Sequence, residues 1–249
     1  MHPSAIETMV RSTRAPRRTP TRRRNLLHSS SELTRLIEQA CLIAIDASFN
    51  IADLLSNSSK MGLLAVKNCE KELDQLERRI DEDLPDAITQ VDEVEARELL
   101  ACLKFITDLE RIGDLMWWIA QRLQQNAVHL TAHDREILAK MANTLYQMLK
   151  EVHEGLTKRD VECAGQVLRA DSEMDQHRFA IFRRHLQAAG NKEIHQSIDV
   201  LLIAQAFERA GDHCTNLAEE VFHLVEGHSL RHLPKKQRES EFRKAGLQA

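Results

Sequence analysis

The sequence predicts an all-α protein built as two tandem three-helix bundles related by internal duplication. Three observations carry that prediction. Gly (8), Pro (5) and the aromatic residues (4%) are scarce, whereas β-rich chains need turn formers and aromatics. Apolar residues recur at three- and four-residue spacing through long segments bounded by capping residues. Two different acidic motifs each occur twice, in the same order and at nearly the same separation, the mark of a repeat.

The elements follow in order. Residues 1–28 are rich in Arg, Thr, Ser and Pro, with seven arginines and one acid, Glu7. Such a segment buries too little apolar surface to offset its ordering entropy, so a disordered Arg-rich tail is expected. It lacks the apolar stretch of a secretory signal, though it shares the Arg- and Ser-rich, acid-poor character of an organellar transit peptide. Nucleic-acid contact, anionic-lipid contact and targeting all stay open for it, beside a plain solvated tail. Ser29-Ser30-Ser31-Glu32 has the form of a capping box and is expected to open the first helix, which runs to about Leu55. Ser56-Asn57-Ser58-Ser59 reads as a turn. The second helix spans about Lys60 to Asp83 and is expected to stop before Pro85, because proline disfavours helix in the residue preceding it. The third spans about Asp92 to Gln125. Thr131, with Asp134 three residues on, opens the fourth, and Thr157, with Asp160, is expected to open the fifth. Gly190-Asn191 separates the fifth from the sixth, which ends near Gly227. The repeats are thus expected at 29–127 and 128–227, followed by a charged, frayed tail at 228–249.

The 249 residues suffice for a sizeable core. Hydrophobic residues make up 43% and charged residues 29%, ordinary values for a soluble chain. No uninterrupted apolar run approaches the roughly 20 residues of a membrane-spanning helix, although a peripheral place at a membrane stays open. The five cysteines (41, 69, 102, 163 and 214) sit singly among apolar residues with no CxxC pair. They read as small core residues of a reducing compartment, and a cytoplasmic location is expected. Outside the tail, 27 basic residues face 37 acidic ones. A body of that charge repels phosphate backbones, so no specific nucleic-acid binding is expected from it.

The motifs carry the chemistry. Glu110-Arg111-Ile112-Gly113-Asp114 recurs as Glu208-Arg209-Ala210-Gly211-Asp212, 98 residues on (110 to 208). Glu70 and Asp74 in the second helix recur as Asp171 and Asp175 in the fifth, 101 residues on (70 to 171). Carboxylates at i and i+4 share one helix face and repel each other. In the third helix Cys102, Phe105, Leu109, Ile112, Met116, Ile119 and Leu123 form the core stripe. Leu103, Thr107, Glu110, Asp114, Trp117 and Gln121 form the opposite one. The sixth helix repeats this, with Glu208, Asp212, Thr215 and Glu219 expected outward. Glu70 and Asp74 flank the core stripe of their helix, as Asp171 and Asp175 do. Antiparallel neighbours can bring two pairs together into a hard oxygen site suited to magnesium, manganese, calcium or iron. Glycine inside a helix costs about 1 kcal/mol against alanine, so Gly113 and Gly211 suggest that something approaches closely. Glu77/Asp81 and Glu82/Asp86 share the spacing and read as solvated helix-end charges. Trp117, a large aromatic on a polar face, suggests a protein contact or packing against another helix of the bundle.

The run Glu208-Arg209-Ala210-Gly211-Asp212-His213-Cys214-Thr215-Asn216-Leu217-Ala218-Glu219, with its first copy Glu110-Arg111-Ile112-Gly113-Asp114 and the acidic pairs one helix earlier, resembles the PhoU family over residues 29–227. Leu115 and Trp118 stand where the family has His and Asn, and Glu70 where it has Asp. The resemblance implies two three-helix bundles about a pseudo-twofold axis. It also implies multinuclear metal clusters of iron or zinc between the paired motifs, a homodimer or higher assembly, and no catalysis. The implied role is restraint of a phosphate ABC transporter and signalling of phosphate sufficiency to a membrane sensor kinase. The departures at 115 and 118 bear on the first metal site, and His213 is a candidate ligand or neighbour of the second.

Two other readings compete. A ferritin-like metal-binding or ferroxidase protein would place its carboxylates inside a bundle with two ExxH pairs; this chain has one, Glu220 with His223, and its repeated acids face outward. A metal-free helical adaptor is also compatible with the spacing. No nucleophile elbow, phosphate-cradling glycine loop or zinc-type Cys/His spacing occurs, so an enzyme is not expected.

Overall fold

The computed structural model describes residues 21–57, 60–125, 130–188, 194–231 and 233–246. The helices are α1 (Thr21–Asn57), α2 (Lys60–Ile88), α3 (Glu93–Gln125), α4 (Ala132–Lys158), α5 (Val161–Ala188), α6 (Ile194–Glu226) and α7 (Lys235–Gly246). No strand occurs among the described residues. Residues 1–20 of the expected tail, Ser58-Ser59 of the first turn and the Gly190-Asn191 break lie outside the described residues.

Several ends differ from the sequence expectation. The first helix starts at Thr21, so the Ser29–Glu32 box lies within it and does not cap it; the helix formers Arg22-Arg23-Arg24 and Leu26-Leu27 extend it upstream. Glu32 pairs with Arg79 of α2. Pro85 sits inside α2, which continues to Ile88. The missing proline N–H costs a helix bond, and the burial of Leu84 and Ala87 holds that last turn on the core. At α3, Asp92 caps through Oδ1, which accepts from the Val94 and Glu95 amides, both at 3.0 Å. Thr131 caps α4 as expected, its hydroxyl accepting from the Asp134 amide at 3.1 Å. Thr157 does not open α5. It lies in the last turn of α4 and donates to the His153 carbonyl at 2.9 Å, while Arg159 turns the chain with a left-handed φ of 55°. Asp160 is the cap of α5, its Oδ1 accepting from the Glu162 amide at 2.8 Å.

The expected frayed tail is also corrected. Leu230 is fully buried, and α7 packs on α5 through Phe242, which is 5% exposed. Phe242 meets Phe222 of α6 edge to face at 4.8 Å between centroids. Arg238 of α7 pairs with Glu219, a residue expected outward but only 5% exposed. Thr215, also expected outward, is buried and donates to the Asp212 carbonyl at 2.7 Å.

Helices α1, α2 and α3 pack on one another, as do α4, α5 and α6. Between the two sets equivalent helices meet, α1 with α4 and α3 with α6, the pairing a twofold relation requires. One continuous apolar core runs through both. At the α1–α4 contact the Ser48 hydroxyl donates to the Ala142 carbonyl at 3.3 Å, and Arg135 donates to the Leu55 carbonyl at 3.1 Å. By length and composition one stretch of α1, Glu32–Asn57, could cross a membrane, but over half of it is buried inside the protein. Four of the five cysteines are buried and Cys69 is half-buried; all five are free thiols. Burial pushes the Cys41 thiol up to about 12, so it behaves as an apolar core group.

Candidate metal centre

Two carboxylate clusters lie where paired helices meet. The first joins α2 to α3. Glu70 and Asp74 come from α2, Glu110 and Asp114 from α3; Glu70 feels Asp114 across the seam and Glu110 feels Glu77. Glu110 shows this best. Its side chain is 15% exposed, and its Oε2 is buried with no hydrogen-bond partner. Burial, then Asp114 and Glu77, push the Glu110 carboxyl up to about 7, against the weaker pull of Arg111. Glu70 is raised by burial, then by Asp114 and Asp74. Glu77, read from sequence as a solvated helix-end charge, belongs to this cluster. Its carboxyl is raised by burial and by Asp81, Asp74 and Asp114. Glu77 lies one heptad beyond Glu70, and that spacing is the signal the sequence reading passed over.

The second cluster joins α5 to α6 through Asp171, Asp175, Glu208 and Asp212. Glu208 is 18% exposed at its side chain, and burial, then Asp212, raises its carboxyl, with Asp175 and Asp171 adding to the effect. Asp171 is buried and Asp175 half-buried, while Asp114 and Asp212, at the outer ends, are exposed. Asp114 and Asp212 thus face outward, whereas the expectation that Glu110 and Glu208 do so is corrected: both are half-buried. In each cluster the glutamate of the ERxGD motif is wedged between helices, because that stripe flanks the neighbouring helix.

Among the described residues, no three His, Cys, Asp or Glu side chains are grouped closely enough to hold an ion in their present rotamers. Nearby cations engage several of the acids. Arg78 holds Asp74 at 2.7 Å; Arg111 lies 3.5 Å from Asp114 and 3.6 Å from Glu110. Arg178 lies 3.7 Å from Glu208, and the Gln205 amide also donates to Glu208. Arg78 and Arg111 are long, exposed side chains whose pairs contribute little and can swing away at small cost; Arg178 and Gln205 are half-buried.

The two clusters are not equivalent. The separation that maps Glu70 to Asp171 maps Glu77 to Arg178. The first cluster therefore holds a fifth acid where the second holds a guanidinium. The glycines differ as well. A Cβ on Gly113 would lie 2.6 Å from Cδ1 of the buried Leu73, so the close approach there is by α2 itself. On Gly211 the nearest atom would be Cγ of Met174 at 3.5 Å, an ordinary contact.

His213 does not turn toward an ion site through Nδ1. That atom lies 2.7 Å from Asp108 Oδ1 on α3, which also accepts from Asn216 at 3.4 Å. The His and Asn thus form a polar clasp between α6 and α3. At the related position of the other half, Ala206 stands for Asp108, and Leu115 and Trp118 stand for His213 and Asn216. The departures in the first motif therefore belong to the joint between the halves. There they line a cleft of about 470 Å³ with Trp117, Leu202, Arg111 and Arg209. Trp117 is half-buried in this cleft. The lone ExxH pair is no ferritin-type ligand set, since Glu220 binds Lys104 at 2.8 Å and lies 3.4 Å from His223.

Duplicated three-helix units with an acidic seam in each define a class of all-α proteins with twin carboxylate sites. The model of the PhoU domain matches residues 37–123 and 138–221. This chain is 30% identical over 213 residues to a phosphate-specific transport system accessory protein PhoU homolog of Burkholderia sp, covering 83% of this chain and 88% of that protein. It is 27% identical over 213 residues to PhoU homolog 1 of the same description from Thermotoga maritima, covering 82% and 92%. The chain belongs to the PhoU domain family. Its fold matches the crystal structure of PhoU from Pseudomonas aeruginosa with a TM-score of 0.67 at 22% identity, over 82% of this chain and 97% of that one. The phosphate transport system regulatory protein PhoU from Streptococcus pneumoniae matches with a TM-score of 0.73 at 19% identity, over 82% and 99%.

Proposed function

We propose that this protein is a metal-binding regulator of phosphate uptake and phosphate signalling. It acts by binding a phosphate ABC transporter and a membrane sensor kinase, as a cytoplasmic homodimer. The relatives' description as accessory proteins of a phosphate-specific transport system supports the transporter half of this reading. Burial of much of α1 within the core supports a peripheral place at the membrane, reached through partners. The reading is of a binding protein and not of an enzyme.

The observation that carries metal binding is Glu110: a half-buried carboxylate, one oxygen without a hydrogen-bond partner, raised by burial and by the acids beside it. A cation between α2 and α3 answers all three features. Glu70, Asp74, Glu110 and Asp114, joined by Glu77, would hold it in the first cluster, and Asp171, Asp175, Glu208 and Asp212 in the second. Donors made only of carboxylate oxygen suit iron, manganese or magnesium better than zinc, which favours nitrogen and sulfur. A bound ion would supply positive charge and a rigid tie across each seam. The fifth acid makes the first cluster the stronger site, and Arg178 weakens the second.

Elemental analysis of the full chain, purified without chelator, tests this beside Glu110→Ala/Asp114→Ala and Glu208→Ala/Asp212→Ala. Stoichiometric iron or manganese that falls in each variant, more in the first, is the expected result. A wild type that takes up no ion when iron, manganese, zinc and magnesium are offered would leave a metal-free adaptor. Affinity capture of the transporter and sensor kinase from membranes tests the partners separately.

A further inference from the structure

We propose that the cleft between α3 and α6 binds a nucleoside phosphate, its base against Trp117 and Trp118 and its phosphates between Arg111 and Arg209. This goes beyond the regulatory reading above and uses a cleft that adjoins the α2 seam, with Asp114 and Arg111 shared between the two.

The argument begins with the duplication. Each end of the α3–α6 joint is built from equivalent positions of the two halves. At one end Asp108, His213 and Asn216 clasp each other across the helices. At the other end Ala206 carries no acid, and Leu115 and Trp118 cannot form the clasp. The polar filling is replaced by an open cleft of about 470 Å³. That size lies within the roughly 300–1,000 Å³ of small-molecule sites. At the clasped end the remaining opening is about 290 Å³, and Ser229 and Arg231 wall it.

The lining selects the ligand class. The chain has two tryptophans, and both face this cleft. Indole faces stack with any planar base, largely without regard to sequence. Arg111 and Arg209 are the paired arginines of the duplicated motif, and both line the cleft. Guanidinium groups recognise phosphate through two parallel N–H donors. Arg209 is exposed and carries no ion pair among the described residues. More positive charge stands close by: the Lys67 ammonium lies 5.7 Å from the Trp117 ring centre and the Arg122 guanidinium 5.0 Å from that of Trp118. The opposing charge on the lining is Asp114, which Arg111 engages at 3.5 Å. Arg122 is itself balanced by Asp199 at 2.7 Å. Inorganic phosphate would use the arginines and leave the aromatic wall idle. A molecule that is planar at one end and multiply anionic at the other uses both.

Because both tryptophans lie in the cleft, intrinsic fluorescence reports on it alone. The full chain is titrated with ADP and GDP in excess chelator, which separates this site from the proposed metal centres. Calorimetry provides a second readout. Saturable binding is expected, with adenosine and inorganic phosphate each at least about tenfold weaker. Arg209→Gln, at an exposed position, should weaken ADP about tenfold to a hundredfold while thermal unfolding stays unchanged. Ala206→Phe, which fills the cleft, should abolish binding in a chain that remains helical by circular dichroism. No saturable signal at millimolar nucleotide would overturn the proposal. So would equal affinity for inorganic phosphate and ADP, or Arg209→Gln binding as wild type does.

Discussion

Replacing Glu110 by Gln should make the metal-free protein more stable, even though it removes a proposed ligand. The Glu110 carboxyl is pushed up to about 7 from its ordinary 4.5 by burial and by its acidic neighbours. The folded state therefore prefers the protonated acid. Below pH 4.5 the group is protonated folded or unfolded and opposes nothing. As pH rises from 4.5 to about 7 the unfolded chain ionises first, and the folded state loses stability; above about 7 the loss is constant. Each pH unit in that window is about 1.4 kcal/mol, an upper limit of about 3.5 kcal/mol in all. Glu110 is only half-buried, and solvent screening brings this to about 1–2 kcal/mol. Gln keeps the shape and removes the ionisation. Urea unfolding with excess chelator should show Glu110→Gln about 1–2 kcal/mol more stable than wild type at pH 8 and within about 0.5 kcal/mol at pH 4.5. The same variant should take up less metal at the first cluster. Equal stability at pH 8, or a less stable variant there, would refute the account of the acidic seam as a charge strain.

Three further outcomes follow from the same geometry. Arg178→Glu supplies the second cluster with the fifth acid of the first, and metal titration should show its affinity rising, while Glu77→Arg should weaken the first. Deleting residues 235–249 removes Phe242 and leaves buried Glu219 without Arg238; thermal denaturation should show a loss of about 3–5 kcal/mol, the scale of breaking a buried ion pair. Gly211→Ala should stabilise by about 0.5–1 kcal/mol through helix propensity, whereas Gly113→Ala, whose methyl meets Leu73 at 2.6 Å, should destabilise by about 1–2 kcal/mol in urea unfolding.

The six long helices were legible because each presents a wide apolar stripe, and the acidic motifs because they recur in register. What escaped the sequence reading depended on contacts between elements. Helix α7 carries one large apolar anchor, Phe242, in a run of charges, and its pattern resembles a solvated tail until α5 and α6 are placed against it. Thr157 and Asp160 are both competent caps three residues apart, and the left-handed turn at Arg159 decides between them. Pro85 is a helix stop in isolation, but burial of Leu84 and Ala87 outweighs it. Glu77 required the face of its own helix to be followed one turn further. The roles of His213 and Asn216 were invisible for another reason: their partner, Asp108, lies on the other half of the chain.

That clasp has an evolutionary reading. Two separate copies of a three-helix unit, pairing through a twofold axis, must carry identical residues at both ends of their joint. Whatever substitution closes one end closes the other. Once the copies are fused in a single chain, that constraint is lifted. Here one end carries an acid, an imidazole and an amide that clasp the halves together. The other carries Ala206, Leu115 and Trp118 at the related positions. Duplication has given this molecule one end to hold itself together and another free to meet something else.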